Sequence, residues 1–330
     1  MMTIISKDIL KAVDILNHEG VVAIPTETVY GLAGNIYSKK AITKIFEIKQ
    51  RPLFNPLIVH IRSSAQIDEL AKDIPTKARL LANTFFPGSL TLVLKKQPSV
   101  ADLVTGGKDT VAIRMPDHAI TLALLEKINF PLAAPSANPF GCISPTSALH
   151  VESYFKNKIP MVLDGGNCKN GIESTIVGFE NNEVVLYRLG SITVEDIENV
   201  IGKIQIKNKQ ENNPEAPGML LKHYAPSTAI FLVSDVDQFV KAAPDKKIGL
   251  LLFNKKNNSA GINHQEILSK KGDLKEAASN LYAAMDRLDK MNLDFIVAER
   301  FPDAGLGKVI NDRLARACYV QPSTRQENIV

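Results

Sequence analysis

KQRPLFNPLIVH (49–60) joins a helix end, two prolines and an apolar strand within one short stretch. Lys49 and Arg51 close a helical pattern, Pro52 and Pro56 break it, and Leu57-Ile58-Val59 start an apolar run. A cation followed by proline is ordinary chemistry for stopping a helix, because the last carbonyls favour positive charge and proline cannot continue the turn. The same stretch also sets two cations, the Asn55 amide and the His60 imidazole around a doubly broken turn beside a buried strand. That is an arrangement suited to a ligand.

Working outward, a helix is expected from Ser6 as N-cap to Gly20 as its stop, with Ile9, Leu10, Val13 and Leu16 on one face. VVAIP (21–25) reads as a short buried strand. A second helix begins at Ser38 and carries Ala41, Ile42, Ile45, Phe46 and Ile48. Short apolar runs follow at 57–61, 90–95, 110–115, 131–137, 161–164, 174–179 and 184–190, each bounded by Gly, Pro, Asn or Asp. Helical patterns fall at 65–85 and 117–128, and a capped helix at 193–202. The alternation of strands and helices is irregular, which predicts a mixed α/β sheet rather than a strictly parallel one.

Beyond residue 203 the composition shifts. Residues 207–227 are polar, then rich in Pro and Gly, and read as an interdomain linker. Met219, Leu220, Leu221 and Tyr224 are too apolar for a passive tether, so this half is expected to lie on a domain surface. The remainder reads β-α-β-α-β-α, a small doubly wound pattern with strands at 231–234, 248–253 and 295–299 and helices including 272–290 and 308–319. The last residues, STRQENIV, read as frayed.

The chain has 330 residues, 45% hydrophobic and 22% charged, which is ordinary for a globular protein of two domains. A net charge of +4 permits an anionic ligand without demanding one. The start, MMTIISKDIL, lacks a basic segment followed by a long apolar core, so no signal peptide is expected, nor any membrane span. Three scattered cysteines, Cys142, Cys168 and Cys318, suit a cytoplasmic protein rather than a disulfide framework.

Polar residues gather at strand ends. Thr26, Glu27, Thr28 and Tyr30 follow the strand at 21–25, Arg114 closes TVAIRMP, and Ser136 and Asn138 close LAAPSAN. Ser174 and Thr175 open STIVGF, and Arg188 ends VVLYR. Strand ends are where ligands collect in open α/β sheets. Arg51, Arg114 and Arg188, with Lys49, form a cation-rich set suited to phosphate or carboxylate. There is no Walker loop, no transition-metal ligand spacing and no nucleophile elbow.

Taken together, PTETVYGLAG (25–34), KQRPLFNPLIVHI (49–61), FPGSLTLVLK (86–95), DTVAIRMP (109–116), AAPSANPFGCISPT (133–146), DGGNCKNGIESTIV (164–177) and LYRLG (186–190) resemble the threonylcarbamoyl-adenylate synthases of the YrdC-like fold. APGMLLKHYAP (216–226) and the segment AERFPDAGLGKVINDRLARA (298–317) resemble the long, two-domain form. The resemblance implies a twisted mixed α/β sheet with a concave basic face (1–205), a linker or lid (206–227), and a smaller Rossmann-like α/β domain (228–330). It implies condensation of L-threonine, bicarbonate or CO2, and ATP, with Mg2+, to threonylcarbamoyl-AMP and pyrophosphate. A downstream transferase complex would move the product's threonylcarbamoyl group to tRNA next to the anticodon.

Residue by residue, the resemblance places Thr28, His60, Arg114 and Ser174 on threonine. It places Arg51, Asn55, Thr110, Ala134, Ser136, Ser144, Arg188 and Tyr224 on ATP, with Lys49 facing phosphates. No protein nucleophile is implied. Residues 217–226 are expected to pack over the first domain's pocket as a lid, with Tyr224 near the nucleotide. Two other readings compete: an RNA-binding module of the same fold without ATP turnover, and a carbamoyl-phosphate transfer. The modest aromatic content (6%, with no Trp) speaks against the first, and no zinc-finger or acylphosphatase-like segment supports the second.

Overall fold

The computed structural model describes residues 2–181, 183–208, 214–220, 223–259 and 262–318. The chain divides into two units, Met1–Phe140 with Ser144–Leu220, and Gly141–Ile143 with Leu221–Val330.

The first unit opens with β1 (Ile4–Ser6), α1 (Ile9–Asn17), β2 (Val22–Ile24), β3 (Gly31–Asn35), α2 (Lys39–Lys49) and β4 (Ile58–His60). It continues with α3 (Gln66–Leu70), α4 (Thr76–Phe85), β5 (Leu90–Lys95), α5 (Asp102–Thr105), β6 (Thr110–Arg114), α6 (Ala119–Glu126) and β7 (Leu132–Ala133). It ends with α7 (Ala148–Phe155), β8 (Met161–Leu163), β9 (Thr175–Glu180), β10 (Glu183–Arg188), α8 (Val194–Ile201) and β11 (Gln205–Ile206). The eleven strands form one mixed sheet in the order β1-β8-β2-β3-β7-β4-β6-β5-β9-β10-β11.

The main core lies on one side of this sheet, where Leu32, Val59, Ile113, Leu92 and Val177 pack with Ile42, Ile45 and Phe46 of α2 and Leu81 of α4. A second cluster sets Ala12 and Leu16 of α1 and Leu124 of α6 against Val22, Ile24 and Leu132. Helix α2 starts as its sequence predicts, with the Ser38 side chain accepting from the Ala41 N–H. It stops at Gln50, which is left-handed at φ 52°, and the Arg51 N–H donates to the Phe46 carbonyl at 3.0 Å. The opening stretch is therefore a true helix stop feeding directly into β4.

Several elements differ from the sequence reading. Ser6 is not an N-cap but the last residue of β1, paired with Leu163, and Asp8 caps α1 by accepting from the Lys11 N–H. The 65–85 pattern is two helices, interrupted where Ala71 bridges to Lys96 and Pro75 precedes α4. The 131–137 run keeps only two strand residues, because Pro135 has no N–H to give a ladder. Strand β3 was hidden by the Gly- and Ala-rich sequence GLAGN, which lacks strand-forming side chains.

The second unit contains β12 (Ala229–Val233), α9 (Val236–Ala242), β13 (Ile248–Leu252), β14 (Ile262–Ile267), α10 (Leu274–Asp289), β15 (Phe295–Glu299) and α11 (Leu306–Ala317). Its four strands are all parallel, in the order β12-β15-β13-β14. Strand β14, with the polar sequence INHQEI, is at the edge and escaped the apolar-run criterion. Among the described residues no helix is long and apolar enough to cross a membrane. Leu221 and the STRQENIV tail lie outside the described residues.

Candidate functional site

Side chains alternate across a strand, so residues two apart share a face. On β6 this puts Thr110, Ala112 and Arg114 on one face. The register pairs Ile58 with Ala112 and His60 with Arg114, which brings Ile58 and His60 to the same face. Thr110 and Arg114 stand roughly 13 Å apart along the strand, at about 3.3 Å per residue. This face is the one opposite the main core.

At the Arg114 end the polar groups converge. Arg114 is buried, and its Nη2 donates to Glu27 Oε1 at 2.7 Å while Nε donates to the Gly88 carbonyl at 3.3 Å. Nη1 has no hydrogen-bond partner among the described residues. Burial works against a charge on Glu27, but Arg114 and the Ser89 hydroxyl outweigh it and hold the carboxyl below its usual range. His60 is buried beside this cation. Desolvation first, and Arg114 second, push its pKa down to about 3, so the ring is neutral near pH 7.

Strands β5 and β9 begin at the same end. Leu90 pairs with Thr175, and the Thr91 and Ser174 hydroxyls lie 2.8 Å apart. Arg188, ending β10, donates from Nε to the Ser174 carbonyl (3.1 Å) and from Nη2 to Ser174 Oγ (3.0 Å). Close backbone approach makes this possible. A Cβ on Gly190 would sit 2.3 Å from the Thr175 nitrogen, so the LYRLG motif needs its glycine there. Thr28 is fully buried in the neighbouring loop, its hydroxyl 2.8 Å from that of Thr26.

The other end holds the opening stretch. Arg51 folds back on its own turn, donating from Nε to the Asn55 carbonyl at 3.1 Å. Its Nη2 donates to Asn55 Oδ1 and to the Pro56 carbonyl, both at 2.7 Å. Accepting from Arg51 fixes the Asn55 amide orientation, and its Nδ2, fully buried, has no partner among the described residues. An unmatched buried donor costs about 1–3 kcal/mol, so this atom calls for an acceptor. Ala134 donates its N–H to the Ile58 carbonyl at 2.9 Å, and Gly31 bridges to Ser136. Lys49, expected toward phosphates, has carbonyl partners within the protein. Its buried ammonium donates to the carbonyls of Ser136 and Asn138, each at 2.5 Å, and so shapes the APSAN loop. Ser144 is buried and donates to Glu173 Oε1 at 2.7 Å.

The stretch after residue 213 lies on the same face. Ala216 and Met219 pack with Ile58, Ala112, Val93 and Ile176, which are interleaved with the polar residues above. Arg188 Nη1 donates to the Pro217 carbonyl at 3.2 Å, and Lys108 pairs with Glu215 at 3.1 Å. Tyr224 belongs to the second unit. There its ring stacks on Tyr282 with centroids 5.8 Å apart and lies 4.9 Å from the Arg313 guanidinium carbon, with its backbone left-handed at φ 63°.

Sequence reasoning missed Glu27 and Thr91 as members of this cluster. Glu27 was visible as a polar residue after a strand, but nothing near it in sequence pointed to Arg114. Thr91 sits inside the run LTLVLK, where period-2 alternation was the available signal.

Residues 14–190 match a family model described as telomere recombination, and residues 192–318 match one described as threonylcarbamoyl-AMP synthase, C-terminal domain. The chain is 42% identical over 306 residues to the threonylcarbamoyl-AMP synthase of Pyrococcus abyssi, covering 90% of this chain and 89% of that protein. It is 39% identical over 319 residues to the Bacillus subtilis enzyme of the same name, covering 94% and 92%. The crystal structure of Pyrococcus abyssi Sua5 complexed with L-threonine superimposes with a TM-score of 0.88 at 40% identity, covering 96% of this chain and 98% of that one.

Proposed function

From the premise that this chain belongs to the threonylcarbamoyl-AMP synthases, in their long two-domain form, we propose how its residues divide the reaction between them. The chain is an enzyme that makes threonylcarbamoyl-AMP, with ATP as a substrate. Threonine occupies the Arg114 end of the face, its carboxylate on Arg114, with Thr28, His60 and Ser174 around its remaining groups. ATP runs from there toward the opposite end, taken by Arg188 and Ser144 close to Ser174 and by Arg51, Asn55, Thr110, Ala134 and Ser136 beyond. The roughly 13 Å between Thr110 and Arg114 accommodates an amino acid and a nucleotide side by side.

The observation that carries this reading is the state of Arg114. Its guanidinium is fixed through Nη2 and Nε and leaves Nη1 for a ligand beside a neutral imidazole. A carboxylate is the group such a fork fits. Asn55 Nδ2 supports the nucleotide half, since a ring nitrogen or an oxygen of ATP would satisfy it.

Chemically, the threonine amine attacks the carbon of CO2 and loses a proton to give a carbamate. A carbamate oxygen then attacks the α-phosphorus, and pyrophosphate leaves. Neither step calls for a protein nucleophile. Both call for positioning and for neutralising phosphate charge. Mg2+ would arrive on the triphosphate and supply charge neutralisation there. The buried carboxylates nearby suit it poorly as ligands, because Glu27 is taken by Arg114 and Ser89 and Glu173 by Ser144. The carbamate reverts in water, so residues 214–220 act as a cover over the face and move when substrates enter. We further propose a cytoplasmic setting and a downstream transferase complex that carries the product's threonylcarbamoyl group to tRNA.

Titration calorimetry tests the threonine assignment. Arg114→Ala should weaken threonine binding by about 1.5–3 kcal/mol, the cost of a lost charge-assisted contact. Unchanged threonine affinity would remove Arg114 as the carboxylate partner.

A further inference from the structure

Glu27 ties four segments together. Its Oε1 accepts from Arg114 Nη2 at 2.7 Å and from Ser89 Oγ at 2.8 Å, and Oε2 accepts from the Asp117 N–H at 3.1 Å. Its carbonyl accepts from the Asn170 N–H at 2.7 Å, and Asn170 Nδ2 donates to Ser89 Oγ at 2.8 Å. The side chains of Glu27 and Arg114 are each only 5% exposed.

Stability is a poor reason for such a pair. Two charges taken out of water are repaid by their attraction only in part, and an apolar pair of similar volume often serves a fold as well. What the pair does provide is charge balance. Arg114 contributes one positive charge and Glu27 one negative, His60 is neutral at pH 7, and Thr28, Thr91 and Ser174 carry none; the second cation at this end, Arg188, is bonded to Ser174 and has the buried Glu173 carboxyl close by as a separate couple. An α-amino acid is likewise balanced, with one carboxylate and one ammonium.

We propose that Glu27 is a specificity-determining positioning residue: its carboxylate orients and offsets Arg114 so that the pocket takes a zwitterionic amino acid in preference to a hydroxy acid of the same shape. Without Glu27, an unshared guanidinium charge would draw in any carboxylate, and the substrate ammonium would enter a pocket of net positive charge. The low dielectric of a buried site makes that difference large. The inference rests on the threonine reading of this end of the face.

The test uses the full chain and two probes, L-threonine and (R)-3-hydroxybutanoate, which is threonine without its amine. Affinities are read by calorimetry, the hydroxy acid in competition with threonine. Wild type should prefer threonine. Glu27→Gln keeps an acceptor for Arg114 and removes the charge. It should weaken threonine about tenfold or more while leaving the hydroxy acid equal or tighter. Ser89→Ala removes a neutral tie to the same carboxylate and should leave the preference unchanged. Should Glu27→Gln fail to fold, Arg114→Gln tests the reciprocal case. It leaves Glu27 unbalanced and should penalise the hydroxy acid more than threonine. If either charge variant shifts both probes by one common factor, Glu27 only shapes the fold and the inference fails. If wild type does not bind threonine at all, the fault lies in the site assignment rather than in Glu27.

Discussion

Met219→Ala isolates the contact that holds residues 214–220 on the first unit. Met219 is 2% exposed and packs with Ile58, Val93, Ala112, Ile176, Val185, Tyr187 and Ala216. Truncating a buried Met to Ala costs about 2–5 kcal/mol in a well-packed core. The lower part of that range applies here, since a surface segment can settle into the space. Polar ties remain, among them the Arg188 bond to the Pro217 carbonyl and the Lys108–Glu215 pair. The second is worth little, with Glu215 40% exposed. A loss of about 2–3 kcal/mol confined to one segment raises its open fraction roughly 30- to 150-fold. Hydrogen exchange at the amides of 214–220 should therefore speed up by that factor, while amides of β5 and β6 keep their protection. Turnover should fall, because an open cover exposes the carbamate to water. Unchanged exchange at 214–220 would refute the claim that this side chain anchors the segment. Faster exchange with full turnover would refute the claim that the segment covers the reaction.

Asn55→Asp preserves the acceptor for Arg51 and deletes the donor that lacks a partner, so ATP affinity should fall at least about tenfold in calorimetry with little change in melting temperature. Equal ATP affinity would remove Asn55 from the nucleotide site. The His60 ring should show no NMR titration between pH 5 and pH 8, because burial and Arg114 hold its pKa at about 3. The unfolded chain would protonate this ring near its ordinary value of 6.5 while the folded chain does not. Its contribution to stability is therefore full above 6.5 and is lost as pH falls from there toward 3. A resonance titrating near 6.5 would contradict the burial argument.

Much of the polar cluster was legible because its residues interrupt or end apolar runs. Arg114, Ser174 and Arg188 each stand where a strand pattern stops, and the structure puts all three at one end of the sheet. The opening turn was legible as a helix stop, and the Gln50 and Arg51 backbone bears that out. What escaped was long-range. Glu27 and Arg114 are 87 residues apart, and no local periodicity links them. The carbonyl partners of Lys49 escaped for the same reason, since they lie 87 and 89 residues away. Strands β3 and β14 escaped because glycine and polar side chains can occupy a strand once neighbours supply the hydrogen bonds, a tertiary effect that propensity does not carry.

The most direct measurement follows pyrophosphate release from ATP by the full chain, with threonine and bicarbonate each omitted in turn and the nucleotide product identified by mass. Release should require both, the product should be threonylcarbamoyl-AMP, and serine should serve less well, since one methyl in an apolar niche is worth roughly 1–3 kcal/mol. Equal release of pyrophosphate with no amino acid present would contradict the account.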